Sequence, residues 1–121
     1  MIHSFRAVEG RKVSRVNVEV AAGDPLDEAV LRSYAIGAAH MALGWVTSEG
    51  LAVDARTGEI HDLTIRSFGV LRASETPPVA VVIDDDPAPA RARSSDAVFG
   101  AVAAATWNAL GRPITFPAPR R

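Results

Sequence analysis

Valines alternate with polar residues in the segment from Arg15 to Val20. Its sequence, RVNVEV, separates three valines by Asn17 and Glu19. A period of two is typical of a strand with one buried face, so the segment predicts a half-buried strand. Residues 3–8 are expected to form its hairpin partner, with the turn at residues 9–11.

The longest apolar segment runs from Leu26 to about Val46 and is helical in composition. Asp27 or Asp24 is expected to cap its N-terminus. Apolar and small residues occur on almost every face, which predicts a helix enclosed on several sides. Gly37 and Gly44 each cost helix propensity, about 1 kcal/mol relative to alanine, so close packing of another backbone is expected there, with a kink or the helix end as the alternative. The uninterrupted apolar parts are too short to cross a bilayer of about 30 Å.

The middle of the chain predicts short strands. Residues 49–54 and 59–63 are expected to be strands joined by the turn at 55–58. Residues 67–78 lack a clear period and are expected to be an extended crossing segment that Pro77 and Pro78 stiffen. The continuous β-branched and apolar run at 79–83, VAVVI, is typical of a central strand.

A second helix is predicted from Asp96 to Leu110. Ser94 or Ser95 is expected to cap it, and Gly111 is expected to mark its end. The preceding run PAPARAR has the composition of a linker or exposed loop.

These elements predict one α+β domain over residues 1–121. The expected architecture is a mainly antiparallel sheet of four or five strands, with two helices packed on one face. Trp45 and Trp107 lie on the helices among small and apolar residues and are expected to fill the core.

Composition narrows the function classes. The net charge of -1 offers no positive field for phosphate backbones, so neither nucleic acid nor a membrane surface is an expected partner. Cysteine is absent, which excludes disulfides, thiolate nucleophiles and thiolate metal sites from this chain. The first residues have no apolar run of signal-peptide length, so a cytoplasmic location is expected.

Side-chain chemistry indicates one candidate ligand-binding site, for an anion. Arg91 and Arg93 precede the helix that starts near Ser94 and Ser95, where unpaired N–H groups and the helix dipole favour anions. No catalytic residue is expected, because no Gly-x-Ser-x-Gly turn or nearby histidine accompanies the serines. The three histidines are widely separated, so no metal site is expected.

Five segments together resemble a known family. In chain order they read RVNVEV, GAAHMALGWVTSEGL, TGEIHDL, SFGVLRASETPPVAVVI and AVAAATWNALGRPITFP. Their order and spacing resemble the C-terminal segment of the molybdopterin-binding large subunit of the xanthine dehydrogenase, aldehyde oxidase and carbon monoxide dehydrogenase family. Members of that family use a molybdenum atom held by a pterin dithiolene, and a glutamate in a Gly-x-Gly-Glu turn acts as the base.

The chain departs from the family pattern where that base belongs. The corresponding residues, 89–94, read PARARS and contain neither glycine nor glutamate. Tyr34 and Ile36 also stand at positions that are polar in the family. The resemblance therefore implies that the isolated chain holds no cofactor, and that molybdopterin would be bound only if a partner chain completed the site.

Three hypotheses about function remain open. The first is a stand-alone, non-catalytic binding or assembly module related to molybdenum hydroxylase large subunits. The second is a split subunit of a molybdopterin-dependent oxidoreductase that acts with a separate larger chain. The third is a small-molecule binding protein that uses a pocket between helix and sheet. The expected partner is a second copy, forming a homodimer, or a molybdenum hydroxylase-type subunit.

Overall fold

A computed structural model of the protein describes residues 8–9, 12–61 and 64–117. The described strands are β1 (Val8–Glu9), β2 (Lys12–Val13), β3 (Val16–Val20), β4 (Ala52–Val53), β5 (Ile60–His61) and β6 (Val79–Ile83). The helices are α1 (Glu28–Thr47), α2 (Ile65–Phe68) and α3 (Ser94–Ala109), with a 3-10 turn at Ala73–Glu75. The expected hairpin partner at residues 3–8 lies almost entirely outside the described residues.

The central pairing joins β3 to β6, and it is parallel. The register runs from Val16 opposite Val79 to Val20 opposite Ile83. The strands occupy the predicted positions, but the mainly antiparallel sheet of four or five strands is wrong. Between these strands the chain crosses over through α1 and residues 48–78, so β6 returns in the same direction as β3. A period of two identifies a strand without giving its direction.

The remaining described strands form two separate antiparallel pairs, β1 with β2 and β4 with β5. The β4–β5 hairpin confirms the predicted turn, although its strands are shorter than expected. In that turn Asp54 accepts backbone N–H bonds from Thr57 and Arg56, which lowers the pKa of the Asp54 carboxyl from its ordinary value.

The core lies between one face of the β3–β6 pair and the two long helices. The valines of β3 point into it, and Leu43, Val46 and Val98 of the helices are fully buried against them. Burying a valine or leucine side chain stabilises the fold by about 1.5–3 kcal/mol. α1 contacts β6 and α3 contacts β3, and the two helices pack on each other.

Capping confirms one prediction and contradicts another. Asp27 caps α1, because its carboxylate accepts the N–H groups of Ala29 at 2.8 Å and Val30 at 3.1 Å. At α3 the N-cap is Arg93, in a left-handed conformation with no side-chain cap bond. The expected cap by Ser94 or Ser95 is therefore wrong. The Ser94 hydroxyl instead donates to the Arg91 carbonyl at 3.3 Å.

The crossing segment at 67–78 is also more structured than expected. It includes the end of α2 and the 3-10 turn, whose Glu75 carboxylate accepts the Arg72 N–H at 3.0 Å. The Nε2 atom of His40 in α1 lies 2.9 Å from the Leu71 carbonyl oxygen, and this hydrogen bond connects the segment to the long helix. Among the described residues, no helix has the length and apolar character needed to cross a membrane.

One buried hydroxyl in the core has no partner among the described residues. Thr106 of α3 is fully buried and its Oγ1 forms no hydrogen bond. A buried polar group without a partner destabilises a fold by about 1–3 kcal/mol. We expect Thr106→Val, which keeps the shape and removes the hydroxyl, to raise the free energy of unfolding by about 1 kcal/mol in urea denaturation.

Thr47 provides the matched control, since its Oγ1 donates to the Leu43 carbonyl at 2.6 Å. Thr47→Val removes a satisfied hydroxyl and is expected to be neutral or destabilising. Equal effects of the two substitutions would contradict this interpretation of Thr106.

Candidate functional site

The candidate site lies where the parallel strands end. Because both strands run in one direction, their carboxyl ends lie together, and the loops that follow them continue side by side. We call this end of the sheet the carboxyl-end edge. The Asp24 N–H donates to the Ala88 carbonyl at 2.7 Å, and the Arg91 N–H donates to the Ala22 carbonyl at 2.8 Å. In open α/β sheets, ligands bind outside the carboxyl ends of the strands. This edge is therefore the position at which a ligand site is expected.

Gly23 allows the two loops to approach so closely. Its φ is +75°, and a Cβ atom there would overlap the backbone carbonyls of Ala88 and Pro89. Only glycine satisfies both constraints at this position. The loop contact therefore depends on a single residue.

The N-termini of α1 and α3 both lie at this edge, but a side chain caps the backbone N–H groups of α1 only. Asp27 accepts two backbone N–H groups of α1. At α3, the N–H groups of Asp96 and Ala97 bond to the Arg93 carbonyl. Within the described part of the chain, the N–H groups of Ser94 and Ser95 have no acceptor. Such groups favour an anion.

A cavity of about 530 Å³ opens between the two helix ends. This volume lies within the range of about 300–1,000 Å³ that is usual for small-molecule pockets. The four residues predicted from the sequence, Arg91, Arg93, Ser94 and Ser95, all line it. The structure thus brings the predicted residues together at one cavity, while anion binding itself stays a prediction.

The other wall of the cavity comes from α1 and the residues just before it. It includes Leu26, Val30, Leu31 and Tyr34. Sequence reasoning missed these residues as part of the site, because an antiparallel sheet does not place the starts of both helices at one edge. The valine-rich strand before each helix could have indicated it, since consecutive strand–helix units are typical of parallel pairing.

The cavity has one apolar wall and a rim that carries two arginines and the Asp27 carboxylate, which caps α1. Arg91 and Arg93 are exposed, and neither guanidinium bonds to another described residue. Together with the free N–H groups of α3, they are suited to the charged end of an organic anion. The side chains of α1 are suited to an apolar body.

The loop between β6 and α3 does not fit a pterin cofactor. Arg93, rather than a glycine, occupies the left-handed position before α3. The loop backbone is bonded to residues 22–24, and residues 87–93 carry no carboxylate. Of the acids that flank this run, Asp86 accepts the Ala88 N–H at 3.0 Å, and Asp96 lies exposed in the first turn of α3.

No protein-family model matches the sequence, and no curated protein is significantly similar to it. The resemblance to molybdenum hydroxylases therefore rests on the five sequence segments alone. The described residues contain no group of three histidine, aspartate or glutamate side chains that could hold a metal ion.

Replacing Gly23 should separate the two exit loops. We expect Gly23→Ala to lower the free energy of unfolding by at least about 2 kcal/mol, because it combines a positive φ with overlap against the Pro89 carbonyl. Gly58→Ala is the matched control, since Gly58 has φ +74° but open space around the new atom. A loss in Gly23→Ala no larger than that in Gly58→Ala would show that the loop contact is unimportant.

Anion binding at the cavity can be tested by charge reversal. We expect phosphate to raise the Tm of the protein, and the double variant Arg91→Glu with Arg93→Glu to abolish that rise. The control reverses Arg56 and Arg66, two exposed arginines outside the cavity, and changes the net charge equally. Absence of a shift with phosphate, sulfate or an aromatic carboxylate would remove the prediction.

Proposed function

We propose that this protein is a non-catalytic assembly module, related to molybdenum hydroxylase large subunits, that binds another protein chain through α1. The observation that carries the proposal is a stripe of exposed apolar side chains along this helix. We call it the α1 stripe, and it consists of Val30, Tyr34, Met41 and Trp45.

The α1 stripe is continuous. Its members and Gly37 are spaced four, three, four and four residues apart, which places them along one face of a helix. Gly37 lies in the middle, and a Cβ atom added there would meet nothing within 4 Å. Close packing at Gly37 was expected from the sequence, and within the described chain no element supplies it. A second helix could approach closely at this point.

The exposure of these side chains is large. Val30 is 50% exposed, Tyr34 64%, Met41 54% and Trp45 48%. Isolated exposed apolar residues are ordinary, but an aligned series marks a contact surface. Tyrosine, tryptophan and methionine are also enriched at protein interfaces.

Trp45 extends the stripe into a small aromatic cluster. Its ring stacks on Phe116 with centroids 5.3 Å apart and lies 5.8 Å from the ring of Phe99. The expectation that Trp45 fills the core is therefore wrong, whereas Trp107 is half-buried and its Nε1 donates to the Pro113 carbonyl at 2.8 Å. A large aromatic side chain held at the surface by two others is suited to anchor a partner.

The opposite face of α1 explains why the sequence predicted an enclosed helix. Ala35, Ala39, Leu43 and Val46 are buried against the core. The helix is thus apolar on two faces, and within the described residues the fold covers one of them. The second face supports binding to another protein. The proposal includes a cytoplasmic location and excludes nucleic acid and membrane as partners.

A second candidate function is a split subunit of a molybdopterin-dependent oxidoreductase. It is favoured by the position of Met41 and Trp45, which lie in the segment GAAHMALGWVTSEGL that resembles the family's long helix. In this case the partner would be a larger chain that supplies the cofactor contacts and the base. The present chain would contribute scaffold rather than a catalytic residue.

A charge placed in the α1 stripe should prevent assembly. We expect Met41→Lys, alone or with Tyr34→Lys, to reduce recovery of the partner at least about tenfold when the tagged full chain is purified from its native host. The Tm should stay nearly unchanged, because both side chains are exposed in the isolated fold. Partner recovery is measured by quantitative mass spectrometry.

Ala104→Lys is the matched control, since Ala104 is an exposed position on α3 outside the stripe. Recovery of a partner that is equal in all variants would contradict the proposal. A recovered large chain that carries molybdopterin would identify the second candidate, and a partner without it would support the first.

A further inference from the structure

The β3–β6 pair has two outer edges, and they differ. At the outer edge of β6, the Arg32 guanidinium of α1 donates to the Val81 carbonyl. This contact occupies the middle of that edge. At the outer edge of β3, no strand of the described chain is paired. A parallel sheet of two strands is unusually small, since parallel sheets are normally larger and covered.

The hydrogen-bond pattern shows which residues face the open edge of β3. The Val16 N–H donates to the Pro78 carbonyl at 3.0 Å, and the Asp84 N–H donates to the Val20 carbonyl at 2.9 Å. Backbone groups alternate between the two edges of a strand, so Val16, Val18 and Val20 use theirs toward β6. The N–H and C=O groups of Asn17 and Glu19 therefore point to the open edge.

The side chains at these positions lie on the face away from the helices. The valines between them are buried in the core, whereas Asn17 and Glu19 are only partly covered. Arg15 extends the same row, because its Nε donates to the Asn17 Oδ1 at 2.9 Å. The exposed row thus reads arginine, asparagine, glutamate at every second residue.

The charges of this row are complementary to those of a second copy of the same row that runs in the opposite direction. If two β3 strands pair antiparallel with Asn17 opposite Asn17 of the second copy, Arg15 lies opposite Glu19, and Glu19 lies opposite Arg15. Residues 15, 17 and 19 then exchange backbone N–H···O bonds as hydrogen-bonded pairs, which their outward direction permits. Opposite charges that face each other across strands stabilise a sheet.

We propose that two copies of this chain form a twofold homodimer by antiparallel pairing of β3 with β3, centred on Asn17. The product is a continuous four-stranded sheet in the order β6, β3, β3, β6. The twofold axis is perpendicular to the sheet, so the helices of both copies cover the same face. The contact is isologous, since the same surface is used by both chains.

Charged residues on an edge strand can also prevent pairing, but their arrangement here favours it. Protective charges act by repulsion or by burial of an unpaired charge when two edges meet. A second copy of β3 in the antiparallel register brings opposite charges together at both ends. On the other edge, Arg32 already blocks the Val81 carbonyl. The two edges therefore have different roles.

The dimer contact is separate from the α1 stripe of the proposed function, since α1 contacts β6 and the dimer uses the far edge of β3. A dimer would leave the α1 stripe of each copy available for a partner chain. The two proposals can consequently fail independently.

Charge exchange tests the pairing in the full-length chain. We expect wild-type protein to show a monomer–dimer equilibrium in sedimentation, and Arg15→Glu or Glu19→Arg alone to raise the dimer Kd at least about tenfold, because each creates two like-charge pairs. The double variant restores both pairs in reversed order and should return Kd to within about threefold of wild type. Circular dichroism confirms that each variant is folded.

A cross-link tests the register. The sequence contains no cysteine, so Asn17→Cys introduces a single thiol. Hydrogen-bonded antiparallel residues have Cα atoms about 5.5 Å apart, so a short bismaleimide should convert this variant to covalent dimer. Ala104→Cys, at an exposed position on α3, should react far less.

Several results would overturn the dimer proposal. One is a wild-type protein that is monomeric at every concentration tested. Another is a dimer that persists unchanged in both single variants. A dimer lost in Met41→Lys but not in Glu19→Arg would assign self-association to the α1 stripe. Loss of partner binding in Met41→Lys with an intact β3 dimer would support both proposals.

Discussion

The parallel hydrogen bonding between β3 and β6 is the interaction that positions every other element of the core. It aligns two five-residue strands from Val16 opposite Val79 to Val20 opposite Ile83. Because the strands run in one direction, the chain must cross from one end of the sheet to the other between them, and α1 forms part of that crossing. Both strands then end at the same edge, where the starts of α1 and α3 meet around the cavity.

The same pairing determines which surfaces remain uncovered in the described chain. α1 and α3 cover the valine face, which leaves Asn17, Glu19 and the 59% exposed Val82 on the other face. α1 lies over β6, and its Arg32 reaches the β6 edge. Within the described residues, no strand pairs with the far edge of β3, and the outer face of α1 is exposed.

The possible tasks of the protein use three surfaces, of which the cavity and the α1 stripe share Val30 and Tyr34. The cavity at the strand ends combines an apolar wall with Arg91 and Arg93, and is suited to a small organic anion. We propose that the α1 stripe binds a protein partner and that the β3 edge pairs with a second copy. None of these surfaces carries, among the described residues, a group of three histidine, aspartate or glutamate side chains that could hold a metal ion.

Local features of the fold could be predicted from the sequence, whereas its contacts could not. Strands β3 and β6, the β4–β5 hairpin, the Asp27 cap and the approximate length of both long helices follow from periodicity and capping, which act over a few residues. The four predicted site residues belong to one short segment before and within the first turn of α3, so they could also be found locally. The α3 cap could not be predicted, since serine is a common N-cap and the use of Arg93 depends on the loop contact with Ala22.

The valines of β3 alternate in the same way in a parallel or an antiparallel sheet, so the strand direction was fixed by packing. Packing also buried Leu43 while it left Tyr34 and Met41 exposed on the same apolar helix. The elements were thus specified by neighbouring residues along the chain, and the surfaces by contacts between segments that are far apart in it.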